Sequence, residues 1–327
     1  MGIIQILLSG LSAGAFSLGY KIAGRRGYAP EPLLTAFSLV IGAVSLVMSL
    51  TAGNRLGDTT TFVLGAVMGV FMLSAIMLYF SVMRTARHNV SWTVIQFSVL
   101  IPFLFSIIVY GERPGFAALS GTGCIILSVL LFGTGRLRKS SKGITQKKPS
   151  DRTGARLRQG SASGVRIAVA LTLSTILSGF SQTVAPVYRN MKPDGTLPPL
   201  MFAAGVSMTI IAVTWTLLKG KASGTVRLSE TIPRSSSNRP ELPASRRFFG
   251  LLSVAAYMGV LNMTAFGLLL IGLHTVPGTI AFPARNAVNI LAVFLFSFLL
   301  FGERADRYEL AGAGAAVVGI ALVSSGL

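Results

Sequence analysis

The sequence predicts an all-α integral membrane protein of ten transmembrane helices, arranged as two inverted five-helix repeats around a central cavity. Three observations predict it. Of 327 residues, 52% are hydrophobic and only 12% charged, and the mean hydropathy is +0.68, a composition that would leave a soluble domain covered in apolar patches. Apolar runs of about 20 residues recur nearly end to end, each long enough as a helix to cross about 30 Å of hydrocarbon at about 1.5 Å per residue. A Gly-Glu-Arg junction closes both the fourth and the ninth of these runs.

The first five runs fall at residues 3–23, 32–52, 62–83, 91–110 and 115–135. The second five fall at 165–188, 197–218, 248–273, 279–301 and 308–326. Helices follow because each run is about twice the length of a barrel strand and does not alternate in polarity. The first run lacks the basic segment of a cleavable signal, so it is expected to stay in the membrane. Ile6 occupies the position where a myristoylation signal needs Ser or Thr, so Met1-Gly2 predicts no acylation.

Two polar stretches interrupt the pattern. Residues 136–164, rich in Lys, Arg, Ser and Gly, divide the chain into a first repeat at 1–135 and a second at 165–327 and are expected to be a basic cytoplasmic linker. Residues 219–247, with Ser235-Ser236-Ser237 and three prolines, read as a polar loop within the second repeat.

The formal charge of +19 reads as membrane topology and not as a nucleic-acid surface, because the basic residues lie between apolar runs. Loops after odd-numbered spans hold about 24 of the Lys and Arg and loops after even-numbered spans about four, which places the odd loops in the cytoplasm. With an even number of spans, both termini are then expected outside, in a bacterial cytoplasmic (inner) membrane. The single cysteine, Cys124, lies in an apolar run and can build neither a disulfide framework nor a metal site. No cofactor is expected.

The two halves are similar. Tyr110-Gly111-Glu112-Arg113 corresponds to Phe301-Gly302-Glu303-Arg304, and the same spacing aligns Leu119 with Leu310, Gly121 with Gly312, Gly123 with Gly314, Leu131 with Leu322 and Gly135 with Gly326. Roughly eight of about 25 aligned positions are identical, more than a shared apolar alphabet produces. Five helices per repeat is an odd number, so the second half enters the membrane from the opposite side. Inverted repeats place a substrate site near the bilayer midplane between halves that can rock.

A hydrophobic helix ending in Gly-Glu-Arg, a short connection and a Gly-rich terminal helix, found twice, resembles the drug/metabolite transporter superfamily in its ten-helix class with two EamA-type halves. The resemblance implies a secondary transporter or exporter of small metabolites, with a central cavity lined largely by helices one, three, four, six, eight and nine. The charge layout departs from it, since family members more often have cytoplasmic termini. Related small antiporters of cationic drugs and protons use a membrane-embedded carboxylate. Here no Asp or Glu falls deep within any span, which points to a neutral, zwitterionic or anionic substrate.

Arg285 is the one permanently charged side chain placed well inside a span, where burial costs several kcal/mol unless it faces a cavity or a partner. The alternative is a cation snorkelling to the interface. Pro283 removes a backbone donor just before it, so a kinked helix could present it to an anionic group. Asn289 lies one turn further on the same helical face. Gln96, Gln182 and Asn262 are the other intramembrane amides on helices assigned to the cavity, and each could instead join helices as packing glue. These five are the candidate substrate-binding residues. Tyr20, Tyr79, Tyr257 and Trp92 could form aromatic walls of the cavity, but near span ends they are expected mainly in the interfacial belt. His88 and His274, at span ends, are weak candidates for proton coupling. Glu112-Arg113 and Glu303-Arg304 are expected to make an ion pair or helix-end contact of structural importance. Small-residue pairs such as Gly10 with Gly14, Gly65 with Gly69, and Ala315 with Gly319 predict close packing within the chain more than between chains.

An enzyme is not expected, since the spans offer no Ser with a buried His, no acid pair and no metal-ligand cluster. The competing reading is a non-transporting membrane assembly or receptor protein. The expected partners are a small-molecule substrate and the lipid bilayer, with the chain a monomer or homodimer.

Overall fold

The computed structural model describes residues 1–53, 58–83, 95–142, 156–222, 244–302 and 306–325. Regular structure among them is helical throughout. In chain order the helices are α1 (Gly2–Arg26), α2 (Pro30–Thr51), α3 (Thr59–Met83), a short 3₁₀ turn at Phe97–Val99 running into α4 (Leu100–Tyr110), and α5 (Phe116–Lys142). The second half comprises α6 (Arg156–Met191), α7 (Leu197–Ala222), α8 (Ala244–Gly272), α9 (Gly278–Phe301) and α10 (Arg307–Ser324). Among the described residues, nine helices are long and apolar enough to cross a membrane, and the fourth is described from residue 95 as a shorter apolar helix, Phe97–Tyr110. The start of the predicted fourth span, with Trp92, lies outside the described residues, as do His88, Glu303 and Arg304. Both interruptions are shorter than the polar composition suggests: α5 runs to Lys142, α6 starts at Arg156, and α7 and α8 extend to Ala222 and from Ala244.

Local chemistry sets several of these ends. Pro30 opens α2, where its missing N–H costs nothing. Asp58 caps α3, its carboxylate accepting from the Thr61 N–H at 3.2 Å. Asp306 and Glu309 form a reciprocal capping box at the start of α10. The glycine of each Gly-Glu-Arg junction ends its helix in the left-handed region: Gly111 and Gly302 both have φ 63°, a conformation that side-chain-bearing residues rarely adopt.

Packing makes the repeat visible in space. A Cβ at Gly121 on α5 would lie 2.8 Å from the Gly319 carbonyl and 2.7 Å from the Val323 nitrogen on α10. Gly312 on α10 stands against Ser128 and Phe132 of α5, the positions related to 319 and 323 by the same shift that takes 121 to 312. The α5–α10 contact is therefore self-reciprocal, as a two-fold relation between the halves requires.

The same relation joins two other corners. Ser9 on α1 donates to the Ala265 carbonyl on α8 at 2.6 Å, and Ser174 on α6 donates to the Ala75 carbonyl on α3 at 2.7 Å. Gly14 on α1 packs against Asn289 and Ala292 of α9, while Gly179 on α6 packs against Ser98 and Ile101 of the α4 segment. Each helix-one equivalent thus sits between the helix-three and helix-four equivalents of the other half, and the two repeats interlock.

Buried side chains fill the interior, Phe37, Ile41, Met68, Leu200, Met208 and Phe282 among them. Ile4, Leu39, Val47, Ile108, Ile210 and Leu299 face outward, as expected where the solvent is lipid. Gly10, Gly14, Gly65, Gly69 and Gly319 all make their close approaches within the chain. Tyr20 and Tyr79 are buried and not in the interfacial belt, because Tyr20 joins an aromatic cluster with Phe16 and Phe80. Tyr257 is partly exposed, its hydroxyl donating to the Ala15 carbonyl at 2.8 Å.

Candidate functional site

Arg285 lies seven residues into α9, about 10 Å below its start at about 1.5 Å per residue. Its side chain does not snorkel. Nε donates to the Ser9 hydroxyl on α1 at 2.9 Å and a terminal nitrogen donates to the Gln182 carbonyl oxygen on α6 at 3.1 Å. The guanidinium also stands over the Phe266 ring of α8, 5.7 Å from its centroid, within range of a cation–π attraction. Gln182 is held in turn by the Ser98 hydroxyl, to which its amide donates at 3.1 Å. Helices α1, α6 and α8 therefore meet the one cation of α9, and the 3₁₀ turn reaches it through Gln182.

The partners are all neutral. Among the described spans, acidic side chains occur only in first turns, at Glu31 of α2 and Glu309 of α10. The hydroxyl and amide oxygens supply dipoles that orient the guanidinium and carry no charge to compensate its own.

The other expected residues lie around this centre to different degrees. Gln182 touches Arg285 directly. Asn289 is one turn along α9 on the same face, and its buried side-chain oxygen has no hydrogen-bond partner. Gln96 meets α9 through its backbone, its carbonyl accepting from the Asn286 amide at 3.4 Å, while its own buried side-chain nitrogen is unpartnered. Asn262 is buried on α8 one turn before Phe266, with its side-chain oxygen unpartnered. Unpaired buried amide atoms of this kind are costly, and all three lie on segments that carry Arg285, bond to its helix or meet its guanidinium. Among the described residues, no cluster of three or more His, Cys, Asp or Glu could hold a metal.

Sequence reasoning missed Ser9, Ser98, Asn286 and Phe266. Ser9 lies within a small-residue stretch that reads as helix packing, and it does pack, against Ala265, while also receiving Arg285. Asn286 follows Arg285 directly and on spacing alone points to a different face.

Helix-end chemistry at the repeat junction is equally well defined. Both oxygens of the Glu112 carboxylate accept from the start of α9: the Gly278 N–H at 3.0 Å and the Thr279 N–H at 2.8 Å. The expected structural helix-end contact is thus found for Glu112, and it spans the two repeats.

Among the described residues, nine long apolar helices and one shorter one, in two five-helix halves related by a two-fold with a polar centre between them, define a membrane protein of the inverted-repeat class. The EamA-like transporter family matches residues 1–134 and 165–325, one match for each half, and the chain belongs to that family. No curated protein matches. Among 28 matching solved chains, one described only as "Crystal structure of protein" shares 16% identity, with a TM-score of 0.66 and 98% of each chain covered. It is similar in fold.

Proposed function

We propose that this chain moves a small metabolite across the bacterial cytoplasmic membrane by alternating access, and that the metabolite presents an anionic group, as a free anion or one end of a zwitterion, to Arg285. The observation that supports this reading is the guanidinium held between α1 and α6, helices of opposite repeats, by neutral oxygens alone. A bidentate carboxylate or similar anion matches its planar donor face. Asn289, Gln96 and Asn262 then supply hydrogen-bonding groups for the rest of the ligand, with Phe266 as an apolar wall. Rocking of the two halves about their shared axis would expose this centre to each side in turn. The basic odd-numbered loops face the cytoplasm and both termini face outward.

Flux and counterflow in proteoliposomes, over a panel of neutral, zwitterionic and anionic metabolites, test the class. Saturable counterflow of at least one anionic or zwitterionic compound is expected. No flux for any compound would favour a non-transporting receptor or assembly protein, and flux confined to neutral compounds would remove the role given to Arg285.

A further inference from the structure

The Glu112 contact is a cap made across the two repeats. It joins the α4–α5 junction of the first repeat to the first turn of α9 in the second. Its two acceptors satisfy two of the N–H groups that a helix start leaves without intrahelical partners, and its negative charge faces the positive end of the helix dipole. Beside it, Gly278 lies against the buried Ser106 of α4, so the ends of the two repeat-equivalent helices are in contact here. Five residues on, Pro283 has no N–H to offer the Thr279 carbonyl, which loosens the first turn of α9 from the rest of the helix. Arg285 follows two residues later. Glu112 therefore grips the one turn of α9 that Pro283 makes separable, directly above the candidate anion site.

A second inter-repeat contact lies on the same face of the membrane: Lys192, after α6, meets Asp58, before α3, at 3.2 Å. Both side chains are over a third exposed, so this pair is the weaker of the two.

We infer that Glu112 is a latch: a positioning residue that holds the first turn of α9 against the first repeat in the state closed on this face and releases it when the face opens. This rests on the alternating-access reading above. A cap internal to one repeat would be kept in every state. A contact between repeats, at the ends of α4 and α9, cannot survive the separation of those ends that access to Arg285 from this face demands.

The test reads access and needs no substrate. In a Cys124→Ala background, Ser98→Cys places a thiol beside Gln182, below the latch. A membrane-impermeant maleimide is applied to vesicles from one face and then from the other. Glu112→Ala is expected to label at least about tenfold faster from the face that carries residue 112, since loss of two charge-assisted hydrogen bonds exceeds one factor of ten in an equilibrium. From the opposite face the rate stays equal or falls. Glu112→Gln, which keeps one acceptor and loses the charge, falls between and serves if the alanine variant is not recovered. An unchanged rate from the residue-112 face, or an equal rise from both faces as loosened folding would give, overturns the latch. The two readings fail separately. Flux is read in the protein that keeps Ser98: normal flux there with unchanged labelling of the thiol variant removes the latch alone, and face-specific labelling with no flux there for any compound removes transport alone.

Discussion

Two corners of the molecule are built alike and used differently. In one, α1 lies between α8 and α9; in the other, α6 lies between α3 and α4. The serine-to-carbonyl bond is the same in both, from Ser9 to Ala265 and from Ser174 to Ala75, and so is the close approach, of Gly14 to α9 and Gly179 to α4. Only the first corner contains Arg285. The sequence-equivalent position in the other repeat is Val94, that of Asn262 is Met72, and that of Gln182 is Ser17. Where the halves agree, the residues pack helices. Where they differ, polar groups stand in one half against apolar or smaller ones in the other, and one of them, Gln182, is bonded to the guanidinium. Symmetry supplies the frame, and the polar centre lies where symmetry is broken.

The largest test of that division is Arg285→Ala. Removal of a cation that binds an anionic group costs about 2–5 kcal/mol of binding, so kcat/KM for transport should fall at least about thirtyfold. The melting temperature should hold or rise, since a buried uncompensated charge is removed with it. A parallel fall in melting temperature would make Arg285 a packing residue. On the symmetric side, Gly121→Leu should cost about 3 kcal/mol by overpacking against backbone atoms of α10, read as lost folded yield and a melting temperature lowered by several degrees. Gly123→Leu is its control, since a Cβ there has no neighbour within 4 Å.

Ser9→Ala and Ser174→Ala sharpen the comparison within one chemistry. Each removes the same bond and should lower stability by about 1 kcal/mol. Ser9 alone also receives Arg285, so only Ser9→Ala should raise the KM of transport, about fivefold, as loss of one hydrogen bond to the cation predicts. Equal transport effects would erase the distinction between the corners.

The smallest effect concerns the Asp58 pair. Hydrogen bonds from Thr61 and from Lys192 hold the Asp58 carboxyl below its usual value of 3.8. A depressed carboxylate contributes stability that is complete above the unfolded value and is lost as pH falls through the folded one. Thermal melts of the parent and Asp58→Asn should thus differ slightly near neutrality and converge as pH falls below the usual carboxylate range. A difference that persists at low pH would assign the effect to the Thr61 cap and not to charge.

Much of the fold was legible because the bilayer restricts the choices: a run of about 20 apolar residues with no internal breaks has only the helix available. The Gly-Glu-Arg pair then gave the repeat, since Gly111 and Gly302 hold a backbone conformation that composition does not require. The site was legible in part. Arg285 stands out because a permanent charge in a span is costly, and Gln182 because it is polar on a helix of the inner set. Ser9 and Ser98 were not, because a small hydroxyl within a span fits packing and binding equally well, and only the distance to the guanidinium separates the two. The direction in which Arg285 points, inward to α1 and α6 instead of out to the interface, was also beyond sequence, since one helix offers the same residue to either environment.

The most direct test is a comparison of isosteres. The best carboxylate ligand found in the panel and its neutral primary amide are titrated into parent protein and Arg285→Ala, with affinity read by thermal shift. The parent is expected to prefer the carboxylate at least about thirtyfold and the variant to distinguish the two less than about threefold. The same preference in both proteins would contradict the role proposed for Arg285.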